Sequence, residues 1–364
     1  MSDLSRRDFL AIGAAALPFV SGHTMAAPPS LKDACKGVFL IGTAFDFRSP
    51  TEFSGVELDF IRSQFDAVTP ENSMKPRPVH PQEPSWNWTQ PDALVQFGQE
   101  SGIKVCGHCL VWHAQTAPWF FQDANRDVLL ARLRSHIHTL VGRYKGRLAS
   151  WDVVNEAIND GEGVAGENLR ESPWLKIVGP DFLTQAFRFA READPAVPLL
   201  YNDYSIESGG KHQSSLLLLR RLISEGAPIT GVGIQGHWSL PALTAQRYEE
   251  IERAIDGYRA LKLRVSITEL DVSLTGTAGG QFGRGQAPAE PPPPELLAVQ
   301  ADAYGKLFAI FMRQRAAIDR VTFWGVNDRR SWRRTRHPLA FDAEYQAKFA
   351  LQAIIDAVSR GKSV

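Results

Sequence analysis

Two glutamates, Glu156 and Glu269, each stand at the end of a short apolar run. Glu156 closes Trp151-Asp152-Val153-Val154-Asn155, and Glu269 closes Val265-Ser266-Ile267-Thr268. A pair of carboxyl groups flanking one bond can hydrolyse a glycoside, one protonating the leaving oxygen and the other acting as base or nucleophile. Their separation, about 5–5.5 Å for retention or about 6.5–9.5 Å for inversion, sets the stereochemistry. Two such residues alone fit other barrel chemistry as well, including metal binding and proton abstraction. They have company, however. Glu71-Asn72 with Lys75, His108 with Trp112, His113 and Gln115, Asn202-Asp203-Tyr204, Gln235 with His237, Asp271 and Trp324 also follow apolar runs.

The runs read as strands: Val38–Ala44, Ala67–Thr69, Ile103–Val111, Leu148–Val154, Pro198–Tyr201, Ile229–Gln235, Leu263–Thr268 and Arg320–Val326. Each is short and rich in branched or aromatic residues. Segments of helical period lie between or after them, over Pro91–Ser101, Asp127–Tyr144, Phe182–Glu192, Gly210–Glu225, Thr244–Leu261, Leu296–Arg315 and Gln346–Ser359. Eight strands with crossover-length connections predict an α/β fold with a parallel sheet closed as a single (β/α)8 TIM barrel. A doubly wound open sheet is the competing architecture, but its G-x-G-x-x-G loop after the first strand is missing. In a barrel the strand ends form the functional face, which is where the polar residues fall. From Gly276 to Glu295 the chain is Gly- and then Pro-rich, which predicts a loop without helix on that same face.

Composition narrows the partners. Hydrophobic residues make up 44% and charged residues 22%, with a formal net charge of +0. That excludes a basic nucleic-acid footprint and a polybasic membrane patch. The beginning of the chain has the order of an export signal: Arg6-Arg7 as a twin-arginine pair, an apolar stretch from Ala11 to Val20, then small Thr24, Ala26 and Ala27. Residues 1–27 are therefore expected to be a twin-arginine signal peptide and residues 28–364 a catalytic barrel, periplasmic or secreted, with no membrane contact in mature form. The three cysteines, Cys35, Cys106 and Cys109, do not make a disulfide scaffold. No metal or cofactor is implied, because the His and Glu residues lack a dedicated ligand spacing.

Seven ordered segments resemble the family 10 glycoside hydrolases, chiefly endo-β-1,4-xylanases. They are Val68-Thr69-Pro70-Glu71-Asn72-Ser73-Met74-Lys75, Gly107-His108-Cys109-Leu110-Val111-Trp112-His113, Trp151 through Ala157, Tyr201-Asn202-Asp203-Tyr204, Gly233-Ile234-Gln235-Gly236-His237, Ile267-Thr268-Glu269-Leu270-Asp271, and Trp324-Gly325-Val326 with Ser331-Trp332. The resemblance implies a retaining double displacement on xylan or xylo-oligosaccharides, with Glu156 as acid/base and Glu269 as nucleophile. It further implies that Asn155 bonds the sugar 2-hydroxyl and that His237, oriented by Asp271, aims Glu269. Asn72, Lys75, His108, Trp112 and Gln115 would hold the sugars on the non-reducing side, with Trp324 and Trp332 as flat walls. Tyr204 and Gln235 are carried over as substrate-binding positions, and the mature protein is expected to be a monomer.

Some positions depart from the family pattern. Ser73 stands where an acid is common, Pro76 where Trp is frequent, and Phe349 where Pro is frequent. Arg329, Arg330, Arg333, Arg334 and Arg336 surround Trp332; they read as a solvated charged loop, with contact to acidic xylan decorations as the alternative. Cys106-Gly107-His108-Cys109 also matches a dithiol motif. That motif works at a helix start, and here it lies in a strand-like run where positions i and i+3 face opposite ways. The remaining alternatives are a related barrel acting on glucan chains and a catalytically silent carbohydrate-binding barrel.

Overall fold

The computed structural model describes residues 30–47, 55–160, 166–276 and 291–363. The expected signal segment and most of the Gly- and Pro-rich loop lie outside the described residues. Nine strands occur among the described residues: β1 Leu40–Phe45, β2 Ala67–Pro70, β3 Lys104–Trp112, β4 Ser150–Asn155, β5 Leu199–Asp203, β6 Gly231–Ile234, β7 His237–Ser239, β8 Arg264–Ser273 and β9 Ile318–Phe323. All pair in parallel. The order runs from β1 through β6, then β8 and β9, and closes where β9 meets β1. The result is the expected eight-stranded barrel, with the short β7 as an extra rung beside the upper half of β8.

Helices wrap the outside: α1 Leu31–Cys35, α2 Gly55–Gln64, α3 Pro76–Val79, α4 Thr89–Ser101, α5 Arg126–Arg143 and α6 Pro173–Val178. They continue with α7 Phe182–Ala193, α8 Gly209–Ser224, α9 Ala245–Ala260, α10 Pro294–Arg313 and α11 Phe349–Lys362. Local chemistry starts several of them. Asn125 accepts from the Val128 amide at the head of α5, Ser172 from Leu175 at α6, and Thr244 from Arg247 at α9. Each such cap stabilises by about 1 kcal/mol. In α7 the buried Phe182, Leu183, Ala186, Phe187 and Ala190 form one stripe against the barrel. Burying a side chain of the Leu or Phe class is worth roughly 1.5–3 kcal/mol.

Several expectations shift, among them the eighth barrel strand, read as Arg320–Val326 and observed as Ile318–Phe323. The segment read as helix-free through Glu295 already opens α10 at Pro294, since Pro suits the first helical position, where no amide bond is needed. Helix α2 was not foreseen, because it buries only Ile61 and Gln64 and shows little apolar period. The seventh barrel strand runs on to Ser273, so Glu269 and Asp271 lie within β8 and not beyond it. The reason is β7, whose His237 pairs in register with Asp271 and prolongs the ladder. Gly236, at φ +76°, makes the sharp turn between β6 and β7 that only a residue without Cβ takes easily.

Candidate active site

The nucleophile position is built by an irregularity in β8. Its register against β9 shifts between Ile267 and Leu270. A bulge of this kind breaks the alternation of faces. Consecutive residues Thr268 and Glu269 thereby both reach Asn202 on β5. Thr268 Oγ1 donates to Asn202 Oδ1 at 2.6 Å, and Asn202 Nδ2 donates to Glu269 Oε1 at 2.9 Å. The other carboxylate oxygen, Oε2, meets His237 Nε2 at 3.0 Å. Behind it, His237 Nδ1 meets Asp271 Oδ2 at 2.9 Å. Asp271 is fully buried and also accepts from Trp332 Nε1 at 2.9 Å and Arg333 Nη1 at 2.8 Å.

These contacts set the charges. Burial pushes the Glu269 carboxyl up, but the His237 bond and the positive fields of His108, His237 and Lys75 outweigh it and hold it below the usual range. Burial likewise opposes charge on His237, yet Asp271 and Glu269 raise its pKa to about 9. At neutral pH the site therefore holds an ionised Glu269 against an imidazolium.

Glu156 leaves β4 in left-handed backbone, φ 57°. Its Oε2 accepts from Trp112 Nε1 at 2.7 Å and its Oε1 from Gln235 Nε2 at 2.9 Å. His113 Nδ1 lies 3.9 Å from Oε2. Burial, aided by Arg170, pushes the His113 pKa down to about 4, so that ring is neutral above acid pH. Asn155 links the two carboxylates: its Oδ1 accepts from Asn202 Nδ2 at 2.9 Å and Gln235 Nε2 at 3.3 Å. Oδ1 thus serves two donors, and the amide side chain is buried between them.

The remaining expected residues divide. His108 is buried with Nδ1 at 2.9 Å from Asp152, and its ring stands edge-on to Trp324, centroids 5.3 Å apart. Lys75 Nζ donates to Asn72 at 3.2 Å and sits 5.0 Å from the Trp112 ring. Trp332 stands 5.0 Å from the His237 ring. All of these join the cluster. Gln115 lies on the loop after β3 in left-handed backbone, and its carbonyl accepts from the Arg77 amide at 2.6 Å; no side-chain bond ties it to the others. Tyr204 turns instead toward the loop after β4. Its hydroxyl donates to Asp160 and accepts from Arg170 at 3.0 Å.

Asn202 was visible as a strand-end polar residue but carried no role in the sequence reading. Its contacts with Thr268 and Glu269 depend on the β8 bulge, which leaves no sequence signal. Arg333 is the clearest correction. Expected in a solvated loop, it is only 12% exposed and ion-paired to Asp271, while Arg330 pairs with Glu57 at 2.8 Å. The dithiol motif lies in β3 as expected, and both Cys106 and Cys109 are buried free thiols. Among the described residues, no group of three or more His, Cys, Asp or Glu is arranged to hold a metal ion.

A family model described as glycosyl hydrolase family 10 matches residues 30–357. The chain belongs to that family. It is a glycoside hydrolase with xylanases as its relatives. Endo-1,4-beta-xylanase B of Paenibacillus barcinonensis is 38% identical over 90% of this chain and 98% of that protein. An endo-1,4-beta-xylanase/feruloyl esterase of Xylanibacter ruminicola is 40% identical over 91% of this chain, and the chain spans 47% of its length. The crystal structure of a xylanase from Paenibacillus barcinonensis with a bound conduramine derivative superposes with a TM-score of 0.82. It is 38% identical, with 91% of this family 10 hydrolase and 99% of that chain covered. Xylanase B of Clostridium stercorarium F9 also gives 0.82, at 33% identity over 90% and 99% of the two chains.

Proposed function

We propose that this family 10 hydrolase is an endo-1,4-β-xylanase that cleaves internal xylosidic bonds with retention of configuration. The observation that carries the reading is the unequal treatment of two linked carboxylates. Glu269 is held ionised by His237 and also bonded by Asn202, while among the described residues Glu156 accepts from the neutral donors Trp112 and Gln235. Such a pair divides the labour of nucleophile and acid. Glu269 attacks the anomeric carbon and forms a covalent glycosyl-enzyme, while Glu156 protonates the leaving oxygen. Glu156 then takes a proton from the water that releases the sugar. The Asn155 amide donates to the sugar 2-hydroxyl, and His108, Lys75 and Asn72 bind the neighbouring hydroxyls. Trp324 and Trp332 wall the same sugars, and close walls disfavour chains bearing a hydroxymethyl group.

The test is hydrolysis of xylohexaose followed by NMR of the nascent anomers, beside assays on xylan and on glucan chains. Retained β-configuration at an internal bond, with xylan strongly preferred, is the expected result. Inversion refutes the mechanism, glucan preference refutes the substrate, and binding without turnover refutes catalysis. We further propose that the protein works outside the cytoplasm as a monomer, on the strength of the Arg6-Arg7 export pattern and the completeness of the site within one chain. Cell fractionation and light scattering test these two points.

A further inference from the structure

Glu156 is held in a backbone conformation that residues with a side chain disfavour, so something must impose it. Its amide donates to the Asn202 carbonyl at 2.9 Å. Its own carbonyl accepts from Arg170 Nε at 3.1 Å. The same guanidinium extends Nη2 to the Ile158 carbonyl and to the Tyr204 hydroxyl, each at 3.0 Å. Arg170 is brought there by a bridge between Ile158 and Leu169, and its amide donates to the Ala157 carbonyl at 2.7 Å. Tyr204 in turn donates to Asp160, which also receives Lys211 Nζ at 3.2 Å, and Lys211 pairs with buried Asp203 at 2.9 Å. One rigid, planar fork thus spans two carbonyls of the turn after β4 and a hydroxyl at the end of β5.

We propose that Arg170 is a positioning residue for the acid/base: it locks the Glu156 peptide so that the carboxyl meets Trp112, Gln235 and the leaving-group oxygen. Tyr204, through its hydroxyl, aims the guanidinium. The inference rests on the reading of Glu156 as acid/base, and it reaches a residue that touches neither carboxylate. A loosened Glu156 still carries its carboxyl, so the loss falls on the one step that needs proton delivery. A lysine can satisfy one carbonyl but not the fork.

The experiment measures kcat/KM of the wild type and of Arg170→Met, Arg170→Lys, Tyr204→Phe and Glu156→Ala on xylohexaose and on dinitrophenyl β-xylobioside, whose leaving group needs no acid. Arg170→Met should lose roughly 10- to 100-fold on xylohexaose, a part of what general acid catalysis supplies. On the activated substrate it should lose less than about threefold. Arg170→Lys should recover part of the xylohexaose loss. Equal losses on both substrates, or no loss on either, in a variant that unfolds at the wild-type temperature would overturn the proposal. Should Arg170→Met fail to fold, Tyr204→Phe, which removes one hydroxyl, decides by the same selective pattern. Glu156→Ala separates the two readings. If it discriminates between the substrates and Arg170→Met does not, only the role of Arg170 falls; if it hits both alike, the acid/base assignment itself falls.

Discussion

Asp271→Asn keeps the shape of the residue beneath His237 and removes its charge. In the intact site Asp271 accepts from His237, Trp332 and Arg333. Burial disfavours a charged His237, but Asp271 and then Glu269 hold its pKa at about 9. Against an unfolded histidine near 6.5, that difference corresponds to roughly 3 kcal/mol of stabilisation. Because the folded value is raised, the contribution is complete below about pH 6.5 and is lost as pH climbs through about 9. Glu269 has the opposite sign: its pKa is depressed, so its share is present above the usual carboxylate value and is lost as pH falls through the folded one. In Asp271→Asn the imidazole surrenders its proton much nearer neutrality, and Nε2 no longer offers Glu269 a charged donor. A hydrogen bond to a charged group is worth about 1.5–3 kcal/mol, so kcat/KM just above neutral pH should fall roughly 10- to 150-fold. The assay is a profile of kcat/KM on xylohexaose from about pH 5 to about pH 9, with the unfolding temperature measured at each point. The alkaline limb should move toward neutrality, and the alkaline loss of stability should flatten. Profiles that superimpose on the wild type would refute the account of a His237 charge maintained by Asp271.

Other outcomes follow from single contacts. Asn202→Ala removes the donor to Glu269 and to Asn155 at once. It should cost kcat on xylohexaose roughly 10- to 100-fold with little change in KM, read by initial rates. Gly107→Ala would put a Cβ at 2.2–2.6 Å from three atoms of the Trp151 ring, which is buried and cannot yield. A loss of about 3 kcal/mol or more, or insoluble protein, is expected in urea unfolding. Gly142→Ala is the contrast: it lies in helix α5 and meets nothing within 4 Å, so the same assay should show a gain of about 0.5–1 kcal/mol. Replacing Arg6 and Arg7 together by Lys should leave full-length precursor in the cytoplasmic fraction, seen by immunoblot.

The barrel was legible because its signals are local. Short branched runs such as Val265–Ile267 alternate with helical periods, and the count of eight chooses closure. Helix α2 escaped because its buried face is thin, and the start of α10 because consecutive prolines look like loop while Pro294 is compatible with a first turn. Arg333 was misplaced for a related reason. A run of arginines reads as solvated until the chain folds one of them over Asp271, whose charge needs a partner in a buried setting.

By itself, then, the sequence determined the alternation of strands and helices, the chemical types at the strand ends, and the two glutamates as the acids most worth attention. It could not determine parity, that is, which face of each strand a residue takes. Strict alternation places Glu269 on the face opposite Thr268, and Asn155 opposite Asp152. Register shifts in β8 and in the β4–β5 pairing bring both pairs to one interior instead. Thr268 and Glu269 share Asn202, while Asp152 reaches His108 and Asn155 reaches Gln235. A bulge forms where two distant strands must match lengths and hydrogen bonds, so its position belongs to the closed barrel and to no local stretch of chain. Composition supplied the carboxylates, and tertiary pairing joined them through Asn202, Asn155 and Gln235.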